Sequence, residues 1–129
     1  MRTEFAELYG ILRKDREISP WSGKLTLQER LTELKKEVEE VFEAVEKNDI
    51  NNLHEELGDV MWDLLAAMVI AEEKYNFDIK KTLQDTINKM KQRKPWIFNN
   101  EVITVEEEIQ RFAEIKTKLK NNIHGGNEK

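Results

Sequence analysis

Residues 53–68 read LHEELGDVMWDLLAAM, and this stretch decides the fold. From Val60 to Ala71 every residue is apolar except Asp63, and Glu56 and Asp59 stand just upstream. A run of this length with apolar residues on nearly every side predicts a buried helix over about residues 51 to 75. That helix carries carboxylates into its own core, where an unpaired charge is costly.

The segment before it is its natural partner. Thr26 with Glu29 three residues later forms a capping-box pattern that opens a helix. Leu27, Leu31, Leu34, Val38, Val41 and Val45 then recur at helical spacing, the seam an antiparallel helix pair needs. The connection EKNDIN, residues 46–51, is short, so the two helices fold back on each other as a hairpin.

Outward from this hairpin the same periodicity continues. A first helix is expected from Thr3 to Arg16, with Phe5, Leu8, Tyr9 and Leu12 on one face and SPWSGK (19–24) breaking it. Asp78 is placed to cap a helix reaching Arg93, where Pro95 stops it. Thr104 and Glu107 repeat the capping box for a last helix to about Lys120, and NNIHGGNEK (121–129) reads as a flexible tail. The expectation is all-α: an antiparallel bundle of four to five helices in one domain, 1–120, with no strand, repeat or low-complexity segment. The long buried helix is apolar on more sides than one hairpin can cover, so a homodimer, or a tetramer built from dimers, is expected to complete the bundle.

Composition narrows the function. The 129 residues suffice for one domain with a modest core. The absence of cysteine excludes disulfides, thiolate metal sites and a Cys nucleophile. The N-terminal RTEFAELYGI carries charges at Arg2, Glu4 and Glu7 instead of the basic-then-apolar order of a signal peptide, and the apolar runs fall short of the about 20 residues a bilayer requires. A cytoplasmic protein without a membrane partner is expected. With 26 acidic against 21 basic residues and a net charge of -5, bulk DNA or RNA is not an expected partner.

The chemistry lies in four acids. Glu37 and Glu40 are three apart on one helix, and Glu56 and Asp59 repeat that spacing on the next. In an antiparallel pair the residue numbers at one height have a constant sum, which sets Glu40 level with Glu56 and Glu37 level with Asp59. Four facing carboxylates repel and raise one another's pKa unless cations neutralise them. All-oxygen ligation points to a hard cation, Mg2+ or Mn2+, and such a site suits phosphate-ester or phosphoanhydride chemistry. Gly58, costing about 1 kcal/mol mid-helix relative to Ala, marks either close approach by a backbone or ligand, or tight helix packing. Asp63, one turn beyond Asp59, is read as a further ligand, an interface residue or, by preference, a group behind the ligands that orients a Lys or Arg. A diiron bundle is excluded, because His54 follows Asn51 instead of completing Glu-x-x-His, and His124 lies in the tail.

With these residues assembled, the sequence resembles the MazG family of all-alpha nucleoside triphosphate pyrophosphohydrolases. Its paired motif stands here as EVEE (37–40) and ELGD (56–59), flanked by PWSGKLTLQERL upstream and KMKQRKPWIF downstream, so the likeness spans about residues 20–98. Ser22 stands where longer members usually have Asp, and Lys94 and Trp96 replace histidines common around the proline. The resemblance implies that Glu37, Glu40, Glu56 and Asp59 hold Mg2+ against a triphosphate, with a water deprotonated by Glu37 or Glu40. By the same resemblance Lys89 and Arg93, with Lys91 beside them, could reach the phosphate tail, although Lys and Arg suit any helix C-terminus through the macrodipole. Trp21 is a candidate to stack on the base, against the commoner role of a Trp beside Pro, covering a core edge, while Trp62 and Trp96 read as packing residues. The expected activity is cleavage of (d)NTPs to monophosphate and pyrophosphate in nucleotide-pool house-cleaning. A dedicated pyrimidine dNTP hydrolase, or a catalytically silent helical oligomer that binds nucleotide or protein, is the alternative.

Overall fold

The structure, a computed structural model, describes residues 1–76 and 78–126, with side chains through residue 121. It is all-helical among these residues, with seven helices: α1 (Arg2–Ile18), α2 (Pro20–Lys24), α3 (Leu27–Glu46), α4 (Ile50–Lys74), α5 (Ile79–Arg93), α6 (Pro95–Phe98) and α7 (Val105–Gly126). The chain forms two compact units that divide after Ile79.

In the first unit, α3 and α4 are the predicted hairpin. The Thr26–Glu29 capping box is closed in both directions: Glu29 N–H donates to Thr26 Oγ1 at 3.0 Å and Thr26 N–H to Glu29 Oε1 at 2.9 Å. The reversal takes only Lys47, Asn48 and Asp49. Asn48 adopts φ 52°, a left-handed conformation that asparagine tolerates, its N–H donates to Val45 O, and Asp49 N–H donates back to Ala44 O. Asp49 then caps α4 by accepting from Asn52 N–H at 3.2 Å. Truncating this cap to alanine is expected to cost about 1 kcal/mol in urea unfolding.

α1 lies along α4, and Tyr9, Leu12, Leu65, Ala66 and Val69 form the core, with Phe5, Leu8, Trp62, Met68 and Ile79 packed against it. Glu72 pins the far end of this core: it accepts from Tyr9 Oη at 2.5 Å, Arg13 Nη2 at 3.0 Å and Ile79 N–H at 2.8 Å.

Three details differ from the sequence reading. The SPWSGK breaker is itself a helical turn, because Pro20 sits at its first position, where a missing N–H costs nothing, and Ser19 Oγ caps it. Pro95 starts α6 by the same rule. The six-residue seam of α3 splits: Leu27, Leu34 and Val41 are half-buried, whereas Leu31, Val38 and Val45 are exposed. The inward face of α3 instead runs through Arg30, Leu34, Glu37, Val41 and Ala44, so the hairpin seam is polar in its middle.

In the second unit, Thr104 and Glu107 close their capping box. Trp96 is buried and its Nε1 donates to Glu108 Oε2 at 2.6 Å, which is the main reason the Glu108 carboxyl titrates below its usual range. α7 runs past Lys120 to Gly126, and residues 127–129 of the expected tail lie outside the described residues. Among the described residues no helix is long and apolar enough to cross a membrane.

Candidate metal centre

The polar middle of the α3–α4 seam brings carboxylates together. Glu37, Glu56 and Asp59 each offer an oxygen, and these oxygens lie within 4.8 Å of one another. Glu56 is only 9% exposed, Glu37 is half-buried and Asp59 faces outward. Glu40, exposed, is not part of this triplet but stands close enough to act on it. Burial first, then the Glu40 carboxyl, pushes Glu37 up to about 7. For Glu56 the order reverses: the Glu40 carboxyl is the larger cause, burial the second, and the result is again about 7.

Two atoms mark the imbalance. Oε2 of Glu37 and Oε2 of Glu56 are buried without a hydrogen-bond partner. Buried acceptors are ordinarily satisfied, and here two orphans sit side by side among carboxylates. A divalent hard cation, which takes oxygen ligands and tolerates several charges, fits this donor set.

Asp63 is buried one turn further along α4, where Arg30 Nη1 donates to its Oδ1 at 3.3 Å. Its carboxyl still titrates above the usual aspartate range, because desolvation outweighs the guanidinium. Arg30 Nη2 also donates to Ser22 Oγ at 3.4 Å, and its guanidinium carbon lies 5.4 Å from the Trp21 ring centroid. Arg30 and Ser22 were not among the residues singled out by spacing. Extending the level-pairing of the hairpin sets Asp63 opposite Glu33, one turn from Arg30, so the signal was present in the register.

Trp21 is 60% exposed instead of covering a core edge, while Trp62 and Trp96 pack as expected. Lys89 and Arg93 lie on α5 in the second unit, beside a cavity of about 270 Å³ shared with Asp85, Asn88, Gln92 and Leu119. His54 is exposed. Gly58 is not a site of tight packing within the chain: a Cβ built there meets nothing within 4 Å. Gly58→Ala is therefore expected to stabilise the isolated chain by about 1 kcal/mol in denaturant unfolding. A loss of stability would instead reveal something outside the chain approaching this face.

The chain matches the MazG nucleotide pyrophosphohydrolase domain over residues 25–98, more than half its length. It belongs to the MazG family. A crystal structure of a mazG-related protein from Thermotoga maritima superposes with a TM-score of 0.83 at 37% identity, covering 87% of this chain and 98% of that one. Among curated relatives, a nucleoside triphosphate pyrophosphohydrolase of Mycolicibacterium smegmatis is 30% identical over 85% of this chain, and the uncharacterized protein YabN of Bacillus subtilis is 30% identical over 92%. The chain spans only 35% and 25% of those two proteins' lengths.

Proposed function

We propose that this MazG domain, residues 1–120, hydrolyses nucleoside triphosphates between the α and β phosphates, releasing a monophosphate and pyrophosphate. The observation that carries this reading is the pair of buried, unpartnered carboxylate oxygens of Glu37 and Glu56 beside Asp59. Glu37, Glu40, Glu56 and Asp59 would hold Mg2+, with Mn2+ as a substitute. Bound there, the ion supplies neutralisation of the phosphate charge and a more acidic water.

The chain's own groups do the rest. Attack of water on the α phosphorus releases a proton, and a carboxylate of α3, Glu37 or Glu40, is placed to accept it. As the new P–O bond forms, the α–β bridge breaks and pyrophosphate departs with the bonding pair. Rigid helices hold the acids at fixed separation, so little reorganisation accompanies the reaction. Lys89 and Arg93 are assigned the phosphate tail and Trp21 the base. The role that fits is removal of surplus or non-standard nucleotides in the cytoplasm.

The test is pyrophosphate release from a panel of canonical and modified NTPs and dNTPs, with and without Mg2+. Metal-dependent release that leaves monophosphate supports the reading and ranks the bases. A folded protein that releases none from the whole panel overturns it in favour of a binding role.

We infer assembly from the exposed half of the split seam. Leu31, Val38, Phe42 and Val45 of α3 and Ile50, Leu57, Met61 and Leu64 of α4 are all exposed in the chain. An apolar set of this extent on one hairpin is what a second copy covers, giving a homodimer or a tetramer of dimers. Charging it with Val38→Lys and Leu57→Lys is expected to halve the mass measured by light scattering; an unchanged mass would place the interface elsewhere.

A further inference from the structure

Arg30 is the most deeply buried charged side chain among the described residues, at 3% exposure. Its surroundings are poor for a structural ion pair. The bonds to Asp63 and Ser22 are long, at 3.3 and 3.4 Å, and Nε is buried without a partner. A cation held on such terms contributes little to stability compared with an apolar residue of similar size. What it does hold is α2. Arg30 joins Ser22 to Asp63 of α4, and from the other side Arg16 donates to the carbonyls of Ser22 and Leu25 while pairing with Glu73 of α4. Two arginines thus tie a five-residue helix to the helix that carries Glu56 and Asp59. The guanidinium of Arg30 also stands over the Trp21 ring, whose residue remains 60% exposed.

We propose that Arg30 is a positioning residue: backed by Asp63, it fixes α2 and covers one face of Trp21, so that the other indole face is presented to a nucleobase beside the carboxylate cluster. Asp63 is one helical turn, about 6 Å of rise, from Asp59, which keeps this platform within a nucleotide's reach of the metal ligands. A planar guanidinium can bridge two acceptors and stack at once, whereas a lysine ammonium cannot. The proposal rests on the nucleotide reading given above, but its first readout does not.

The test uses the full-length chain carrying Arg30→Met with Asp63→Leu, which removes both charges together and so leaves no buried ion unpaired, and Arg30→Lys as a second variant. Without metal or nucleotide, the fluorescence anisotropy of Trp21 is taken as the difference between each protein and its Trp21→Phe counterpart. Both variants are expected to free the indole and lower this anisotropy; an unchanged value overturns the positioning role whatever the activity. With nucleotide and Mg2+, the variants are expected to raise KM about tenfold, the scale of one base–aromatic stack, with kcat within about twofold, the pattern of lost uniform binding. Trp21→Ala is expected to do the same, and to add nothing when combined with Arg30→Met and Asp63→Leu. A fall in kcat at constant KM, or additive losses, overturns the proposal. A Trp21→Ala protein with unchanged KM overturns base stacking, and is distinguishable because the anisotropy reads Arg30 alone.

Discussion

Glu56→Gln is expected to lower pyrophosphate release by about 10²- to 10³-fold and, in metal-free buffer at pH 8, to raise the melting temperature. The two effects have one cause. In the metal-free fold Glu56 and Glu37 titrate near 7 instead of the ordinary 4.5, because each faces other carboxylates and is partly desolvated. Between pH 4.5 and about 7 the folded chain retains protons that the unfolded chain has released, so stability is fully present at the acid end and falls as pH rises through that window. An amide at position 56 has no charge to develop and removes part of the penalty. A divalent cation acts in the opposite sense, since it binds deprotonated oxygens and stabilises the native state by mass action. The check is a set of melting curves from pH 4.5 to 8, with EDTA and with Mg2+. Wild type should lose stability toward pH 8 in EDTA and recover it with Mg2+, and Glu56→Gln should show a flatter profile and a smaller response to the metal. Equal metal responses in both proteins would remove Glu56 from the ligand set.

Asp63→Ala carries the largest expected loss of stability, about 3 to 5 kcal/mol, because it leaves the Arg30 guanidinium buried with Ser22 Oγ as its remaining acceptor. The Arg30→Met and Asp63→Leu double variant is expected to stay within about 1 kcal/mol of wild type, since both charges leave together and similar volume remains. Urea unfolding of the two proteins measures the contrast. A single substitution costing under about 1 kcal/mol would mean that water reaches this pair and that the charges are not sealed in the seam. The raised pKa of Asp63 gives the same picture from another direction: burial disfavours its charged form more than Arg30 favours it.

The hairpin and its carboxylates were legible because both depend on counting. The capping box at Thr26, a short reversal and two acid pairs at matching spacing leave little freedom in the pairing of α3 with α4. What could not be read was which part of a broad apolar band on α3 turns inward. Leu27, Leu34 and Val41 fit the hairpin as well as Leu31, Val38 and Val45 do, and the choice follows from burying Arg30, Glu37 and Ala44 on the same face. A polar seam is invisible to a rule that looks for the most apolar stripe. Pro20 and Pro95 were likewise read only as breaks, although the ring that ends one helix is preorganised to begin another. The helix-propensity cost of Gly58 invites a contact as its reason, and the chain itself supplies none.

The turn at Lys47, Asn48 and Asp49 has a consequence of a different kind. Asp49 ends one helix with its backbone and begins the next with its side chain, so no residue between α3 and α4 is slack. The facing of Glu37 and Glu40 with Glu56 and Asp59 is thereby metered from the turn. One residue inserted into either helix between Glu40 and Glu56 swings one acid pair through about 100°, away from the other, even if every carboxylate is retained. This segment is constrained in length as strictly as in composition, a constraint that point substitutions never touch and a single-codon insertion scan would expose.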